Sequence, residues 1–204
     1  MAFVPMCNHE QPHLGLPMLK AYLTQKGICN TCIIDYNVHI MDKFVKKYME
    51  ELGNTDPSIC YDTYTKAKKI MKGFNASDYL KSGWASEYIA EKMIQVGGKI
   101  SKNCFDPVSF QAILNEYHST PEDAVPSDSL LSYLYLEVVV DILEKAPKIL
   151  ALSVTFASQI YYALILCRQV KSIRPDIKII LGGVQISLFE SAFLHSGLTC
   201  FDAL

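Results

Sequence analysis

No charge of one sign dominates this chain. Lysine and arginine number 19 against 21 aspartates and glutamates, for a net charge of −2. That balance supplies no basic field for nucleic acid, and there is no acidic tail. No charged start followed by an apolar core opens the chain. Residues 1–20 hold His9, Glu10, His13 and turn-forming prolines, so no secretory signal is expected. The seven cysteines have no disulfide-like spacing, and an odd number without a signal fits the reducing cytosol. Internal repeats and low-complexity tracts are absent. One uncharged stretch, Ile149 to Cys167, is 19 residues long and approaches the length of a membrane span. Ser153, Thr155, Ser158 and Gln159 sit at its middle, where lipid would penalise them. A strand, a polar turn and a helix account for the same residues, so a cytoplasmic chain without a membrane partner is expected.

What is present is apolar and patterned. Half of the 204 residues are hydrophobic, enough to bury one sizeable core. Ala2 to Met6 reads as a short strand. Leu16, Leu19, Tyr22 and Leu23 recur at helical spacing, and Gly27 stands where a helix C-cap belongs. "ICNTCIIDYN" follows as a second strand. Near Pro147 the alternation resumes: a strand at Ile149–Val154, and a helix from Gln159 to Ile173. Arg168, Lys171 and Arg174 near that helix end suit its dipole, and Pro175 stops it. "IKIILGG" is a further strand, Leu188–His195 a short helix, and "TCFDAL" the start of a fifth strand. Alternating helices and near-continuous apolar strands imply an α/β chain with a parallel, doubly wound, flavodoxin-like (Rossmann-like) sheet of order 2-1-3-4-5. Residues 40–145 carry helical periodicity punctuated by Pro57, Pro107, Pro121 and Pro126. They read as a large helical insertion after the second strand, within a domain formed by 1–39 and 146–204.

In such a sheet, ligands bind beyond the carboxyl ends of the strands, near the switch in strand order. The candidate residues are therefore those at the ends. After strand one come His9, Gln11, Pro12, His13, Leu14, Gly15 and Leu16. After strand two come Asp35 and Asn37. Ser153, Thr155, Ser158 and Gln159 follow strand three. Gly182, Gly183, Gln185 and Ser187 follow strand four. The Gly182–Gly183 pair has two readings: a backbone surface for a flat ligand, or a plain strand-to-helix turn. His9, His13 and His118 read first as loop histidines. Tyr133, Tyr135, Tyr161 and Tyr162 read as packing, Trp84 as an anchor or a cover, and Lys66–Lys72 as a solvated helix face. Cys29 and Cys32 form the only close cysteine pair; a two-cysteine metal or redox site is one reading, and core or edge-strand cysteines are the preferred one.

Three stretches carry a family likeness: "QPHLGLPMLKAYLTQKG" with "IIDYN", "PKILALSVTFASQIYYALILCRQVKSIRPDIKIILGGVQIS", and "CFDAL". Together they resemble the N-terminal cobalamin-binding domain of cobalamin-dependent radical S-adenosylmethionine enzymes, over about half of the chain. The resemblance implies a cobalamin tail held in a crevice of the sheet. Ser153 and Thr155 would stand beside that tail, Gly182 and Gly183 against its benzimidazole, and the loop from Pro12 to Leu16 towards the corrin. It also implies methyl transfer or related radical chemistry, carried out in partnership with a C-terminal radical domain.

The chain departs from the family pattern in two places. Where methionine-synthase-type domains carry Asp-x-His-x-x-Gly, with the histidine on cobalt, this sequence has "DYNVHI". Asn37 replaces the histidine, and His39 comes two places late. No Cys-x-x-x-Cys-x-x-Cys spacing is present to hold an iron–sulfur cluster, so no catalytic residue and no protein metal ligand is assigned. The cluster and S-adenosylmethionine are expected in a domain outside this chain, which reads as a fragment inactive alone. Two other functions stay open: a module of this ancestry that has lost its ligand and serves assembly or substrate docking, and a binder of a flavin or nucleotide. No loop with several close glycines follows strand one, which weighs against the last.

Overall fold

The structure is a computed structural model that describes residues 1–3, 14–39, 42–43, 45–46, 61–72, 83–89, 91, 109–120 and 137–204. The named elements run β1 (Ala2–Phe3), α1 (Gly15–Gln25), β2 (Ile34–Asp35), α2 (Tyr61–Lys72), α3 (Phe110–Ser119), α4 (Val139–Lys145), β3 (Ile149–Ser153), α5 (Ala157–Ile173), β4 (Lys178–Gly182), α6 (Val184–Leu188) and α7 (Glu190–His195). By internal contacts the chain divides into two units. The first comprises Met1–Asn8, Pro12–Asn37 and Asn103–Leu204; the second comprises His9–Gln11 and Val38–Lys102. The helices α3 and α4, which fall inside the 40–145 segment, belong to the first unit.

The four strands of the first unit are parallel, in the order β2-β1-β3-β4. They do not amount to the flavodoxin-like, doubly wound sheet expected from the apolar runs. Helix far outweighs strand, β1 and β2 are two residues long, and only β3 and β4 pair over five. Leu150, Leu152, Ile179 and Leu181 are buried, while Ile149 and Ile180 on the alternate positions are 58% and 36% exposed. The apolar runs thus include two isoleucines, Ile149 and Ile180, that are not buried. The second strand is short for a local reason. Thr31 N–H bonds the Cys29 carbonyl at 2.9 Å in a turn, and only Ile34 and Asp35 join the ladder. "TCFDAL" contributes a single bridge, Ala203 to Ile180.

The helices were legible because their signals are local. Gly27 ends α1 at φ +83°, with Ile28 N–H reaching back to Leu23 O at 2.9 Å. The helix α5 is apolar almost all round, and nine of its residues, from Gln159 to Val170, are buried. A helix of that composition belongs in the centre of a core. It neighbours α3 and α4, and the β3-α5-β4 crossover lays it across the sheet. The uncharged stretch Ile149–Cys167 is therefore strand, turn and helix. Among the described residues no helix is long and apolar enough to cross a membrane.

In the second unit, α2 turns Tyr64 and Ala67 inward, while Lys66 and Lys69 are exposed. Tyr64 O–H and the Lys68 ammonium both reach Asp42. Trp84 stacks on Tyr88 at 5.8 Å between ring centres and stays 44% exposed.

Candidate functional site

The register aligns the strand ends. Phe3 pairs with Asp35 on one side and Ser153 on the other, and Ser153 pairs with Gly182. Asp35, Ser153 and Gly182 thus lie in one row along the carboxyl edge. Because β1 is flanked by β2 and β3, the strand order reverses beside it, which is the switch position where open α/β sheets take ligands.

Around that row the side chains divide into those left open and those used by the fold. Thr155 and Ser158 are half-buried, and Ser158 has partners of its own. Gln159 is fully buried, and its side-chain oxygen accepts the N–H groups of Thr155 at 2.7 Å and Phe156 at 3.0 Å. It caps the start of α5, satisfying donors that a helix N-terminus leaves orphaned. Ser187 sits on α6, its N–H bonded to Gly183 O at 3.2 Å, and Gln185 N–H bonds Val154 O at 3.3 Å. Asp35 ends its strand and the chain turns at once into a helical stretch, 36–39. That turn carries Asn37 into the interior, where it is 2% exposed and engaged. At the start of α1, Leu14 and Gly15 are exposed, and Leu16 is buried against Met1 and Ile33. His9, Gln11, Pro12, His13, Tyr133 and Tyr135 lie outside the described residues.

The two glycines differ. A Cβ on Gly182 would meet nothing within 4 Å. Gly183 has φ +106°, and a Cβ there would stand 2.4 Å from the Val154 carbonyl oxygen. The Val154 N–H in turn bonds Gly182 O at 2.7 Å. The chain's own β3 exit therefore fills the place assigned to a flat ligand at Gly183. That glycine serves a tight strand-to-helix turn, and of the pair only Gly182 has open space.

A second feature lies away from the strand-end candidates, and it includes His118, which stands on α3 and not in a loop. A cleft of about 420 Å³ is lined by Tyr117, His118 and Thr120 from the end of α3, Arg168 from α5, and Gly197, Leu198 and Thr199. Arg168 donates to the carbonyls of Tyr117 (3.3 Å) and Thr120 (3.2 Å), with its guanidinium 4.9 Å from the centre of the Tyr117 ring. It caps the carboxyl end of α3 instead of serving its own helix. Its Nε is buried without a hydrogen-bond partner. Tyr161 O–H and Thr120 Oγ lie 2.7 Å apart, and Tyr161 meets Tyr162 edge-on, so this tyrosine pair packs as expected. A signal for α3 was present in the sequence: Ser109 as N-cap, accepting from Ala112 N–H at 3.2 Å, then Phe110, Ile113, Leu114 and Tyr117 at helical spacing.

Among the described residues no group of three or more His, Cys, Asp or Glu is placed to hold a metal ion. No family model matches the sequence, and neither the curated proteins nor the solved structures contain a match to it.

Proposed function

We propose that this chain is a cofactor-binding module whose ligand edge is the carboxyl end of the sheet, with cobalamin as the ligand. In this reading it works in the cytoplasm beside a radical S-adenosylmethionine domain that carries the iron–sulfur cluster, in methyl transfer or related chemistry. The observation that carries the reading is the alignment of Asp35, Ser153 and Gly182 in one row beside the reversal of strand order. The fit to cobalamin is partial. Ser153 and Thr155 are not fully buried, and Gly182 has open space for a close approach. Gly183 and Gln159 serve the fold itself, and Asn37 is held in the interior. Bound cobalamin would supply the methyl-carrying chemistry; this chain would hold and orient its tail. The test is a visible spectrum after incubation with hydroxocobalamin and removal of free ligand. Retained cobalamin at one equivalent supports the reading, and none retained refutes it.

A second reading, a ligand-free module for assembly or docking, is favoured by the exposure of the apolar side chains Ile149 and Ile180. It predicts no retained cobalamin and self-association or partner capture that Ile149→Lys abolishes.

A further inference from the structure

Arg168 differs from the other cations that follow it in the chain. Lys171 pairs with Asp202 at 2.6 Å, Lys178 with Asp202 at 3.1 Å, and Arg174 with Asp176 at 2.7 Å. Among the described residues no carboxylate pairs with Arg168. Its hydrogen bonds go from one terminal nitrogen to the Tyr117 carbonyl and from the other to the Thr120 carbonyl, both neutral. A guanidinium carries more N–H donors than these bonds use. The Nε–H is buried without a partner, and one N–H on each terminal nitrogen is left over. The carboxyl end of α3 offsets about half a unit of the charge. The remainder is unbalanced on a half-buried side chain, which is a costly arrangement without a counter-ion.

This residue lines the cleft of about 420 Å³, a volume in the range of small-molecule sites. Part of the lining is the chain leaving α7. Gly197 turns it at φ +71°, and the Ser196 hydroxyl takes the Leu198 N–H at 3.3 Å. The Gly197 N–H, the Thr199 N–H and the Thr199 hydroxyl have no hydrogen-bond partner among the described residues. The acceptors beside the guanidinium are already engaged. Arg168 itself takes the two carbonyls, and Thr120 Oγ donates to Glu116 O at 2.8 Å and lies 2.7 Å from Tyr161 O–H. The last turn of α7 is satisfied too, with Phe193 O accepting the Ser196 N–H at 3.2 Å and the Ser196 hydroxyl at 2.7 Å. The cleft thus offers a positive charge, unused donors and, at the half-buried Leu198, an apolar contact.

We propose that this cleft binds a small organic anion, its phosphate or carboxylate group held by the Arg168 guanidinium and the donors of Gly197 and Thr199, and its body against Leu198. Charge-assisted hydrogen bonds from arginine to an oxyanion are the strong class of such contacts. The site takes none of its residues from the strand-end row and does not rest on the cobalamin reading.

The experiment titrates the full chain, in separate arms, with glycerol 3-phosphate, succinate and inorganic phosphate, against potassium chloride at matched ionic strength. Heteronuclear NMR follows the backbone amides and the Arg168 Nε–H. The expected result is saturable movement of the Gly197, Thr199 and Arg168 signals with glycerol 3-phosphate or succinate, at a Kd of about 1 mM or tighter. The arm that binds more tightly identifies the oxyanion, and inorganic phosphate, which has no body to meet Leu198, should bind more weakly than that arm. Arg168→Gln should weaken binding about tenfold or more. If that variant fails to fold for want of the α3 cap, the unaltered chain decides alone. Movement centred on Gly197, Thr199 and Arg168 supports the site. No saturable movement with either organic anion, movement centred elsewhere, the same movement with potassium chloride, or equal affinity in a folded Arg168→Gln would overturn it and leave Arg168 as a helix cap.

Discussion

Gly183 and Gln159 act on one stretch of backbone, Val154 to Phe156, and both hold that stretch in place. At Gly183 the constraint is steric. Gly183→Ala sets a Cβ 2.4 Å from the Val154 oxygen at φ +106°. Overpacking of this kind costs about 1–3 kcal/mol, and backbone strain adds about 1–2 kcal/mol. Gly182→Ala, one residue earlier and in open space, should leave stability within about 1 kcal/mol, since alanine in a strand is no worse than glycine. Urea unfolding of the two variants separates a turn glycine from a ligand glycine; equal stability would contradict the assignment. At Gln159 the constraint is polar. Gln159→Leu keeps the bulk but removes the acceptor of the Thr155 and Phe156 N–H groups. An unsatisfied buried donor costs about 1–3 kcal/mol, so the same titration should show a loss in that range.

Two ties between elements titrate in opposite directions. Tyr36, just past β2, donates at 2.6 Å to Asp141 on α4, which also takes the Lys145 ammonium. Burial first, then this hydrogen bond, raises the Tyr36 pKa above its ordinary value. The stability it contributes is complete below about pH 10 and falls as pH rises further, because the unfolded tyrosine ionises first. Tyr36→Phe should cost about 1.5–3 kcal/mol near neutrality and flatten the alkaline limb of the stability profile. At the other end of the sheet, Asp202 pairs with Lys171 (2.6 Å) and Lys178 (3.1 Å) and accepts from Ile179 N–H (2.8 Å). Lys171 first, then the Ile179 N–H and Lys178, hold its carboxyl well below the usual range. Its contribution is present above about pH 4 and is lost as pH falls. The hydrogen-exchange protection factor of the Leu181 amide, bonded to Ala203 O at 2.9 Å, should therefore fall on acidification before those of the core amides do. Unchanged protection down to the unfolding pH would contradict that tie. These elements also mark what sequence pattern carries. The Leu16–Leu23 periodicity, the Gly27 cap and the Pro175 stop are local, and α1 and α5 appear within a residue or two of expectation. Whether the second face of the sheet is covered depends on distant chain, and "ILALS" and "KIILG" are as apolar at Ile149 and Ile180 as at their buried positions. The site was legible in part for the same reason. Strand ends could be located, but Val154 closing on Gly183, and Arg168 crossing to α3, are contacts between segments that pattern alone does not bring together.

A small parallel sheet and its buried helix α5 present an aligned carboxyl edge, and among the described residues Ile149 and Ile180 of the sheet stay exposed. The edge is the part of the molecule to which the cobalamin reading commits. The most direct measurement is equilibrium titration of the full chain with hydroxocobalamin, read by visible absorbance and by retention on gel filtration, alongside Ser153→Leu, which alters the middle of the Asp35–Ser153–Gly182 row. Binding at one equivalent, weakened at least tenfold in the variant while its unfolding midpoint stays close to the parent's, is the expected result. Absence of retained cobalamin in the parent, or equal affinity in the two proteins, would contradict a ligand edge at these strand ends.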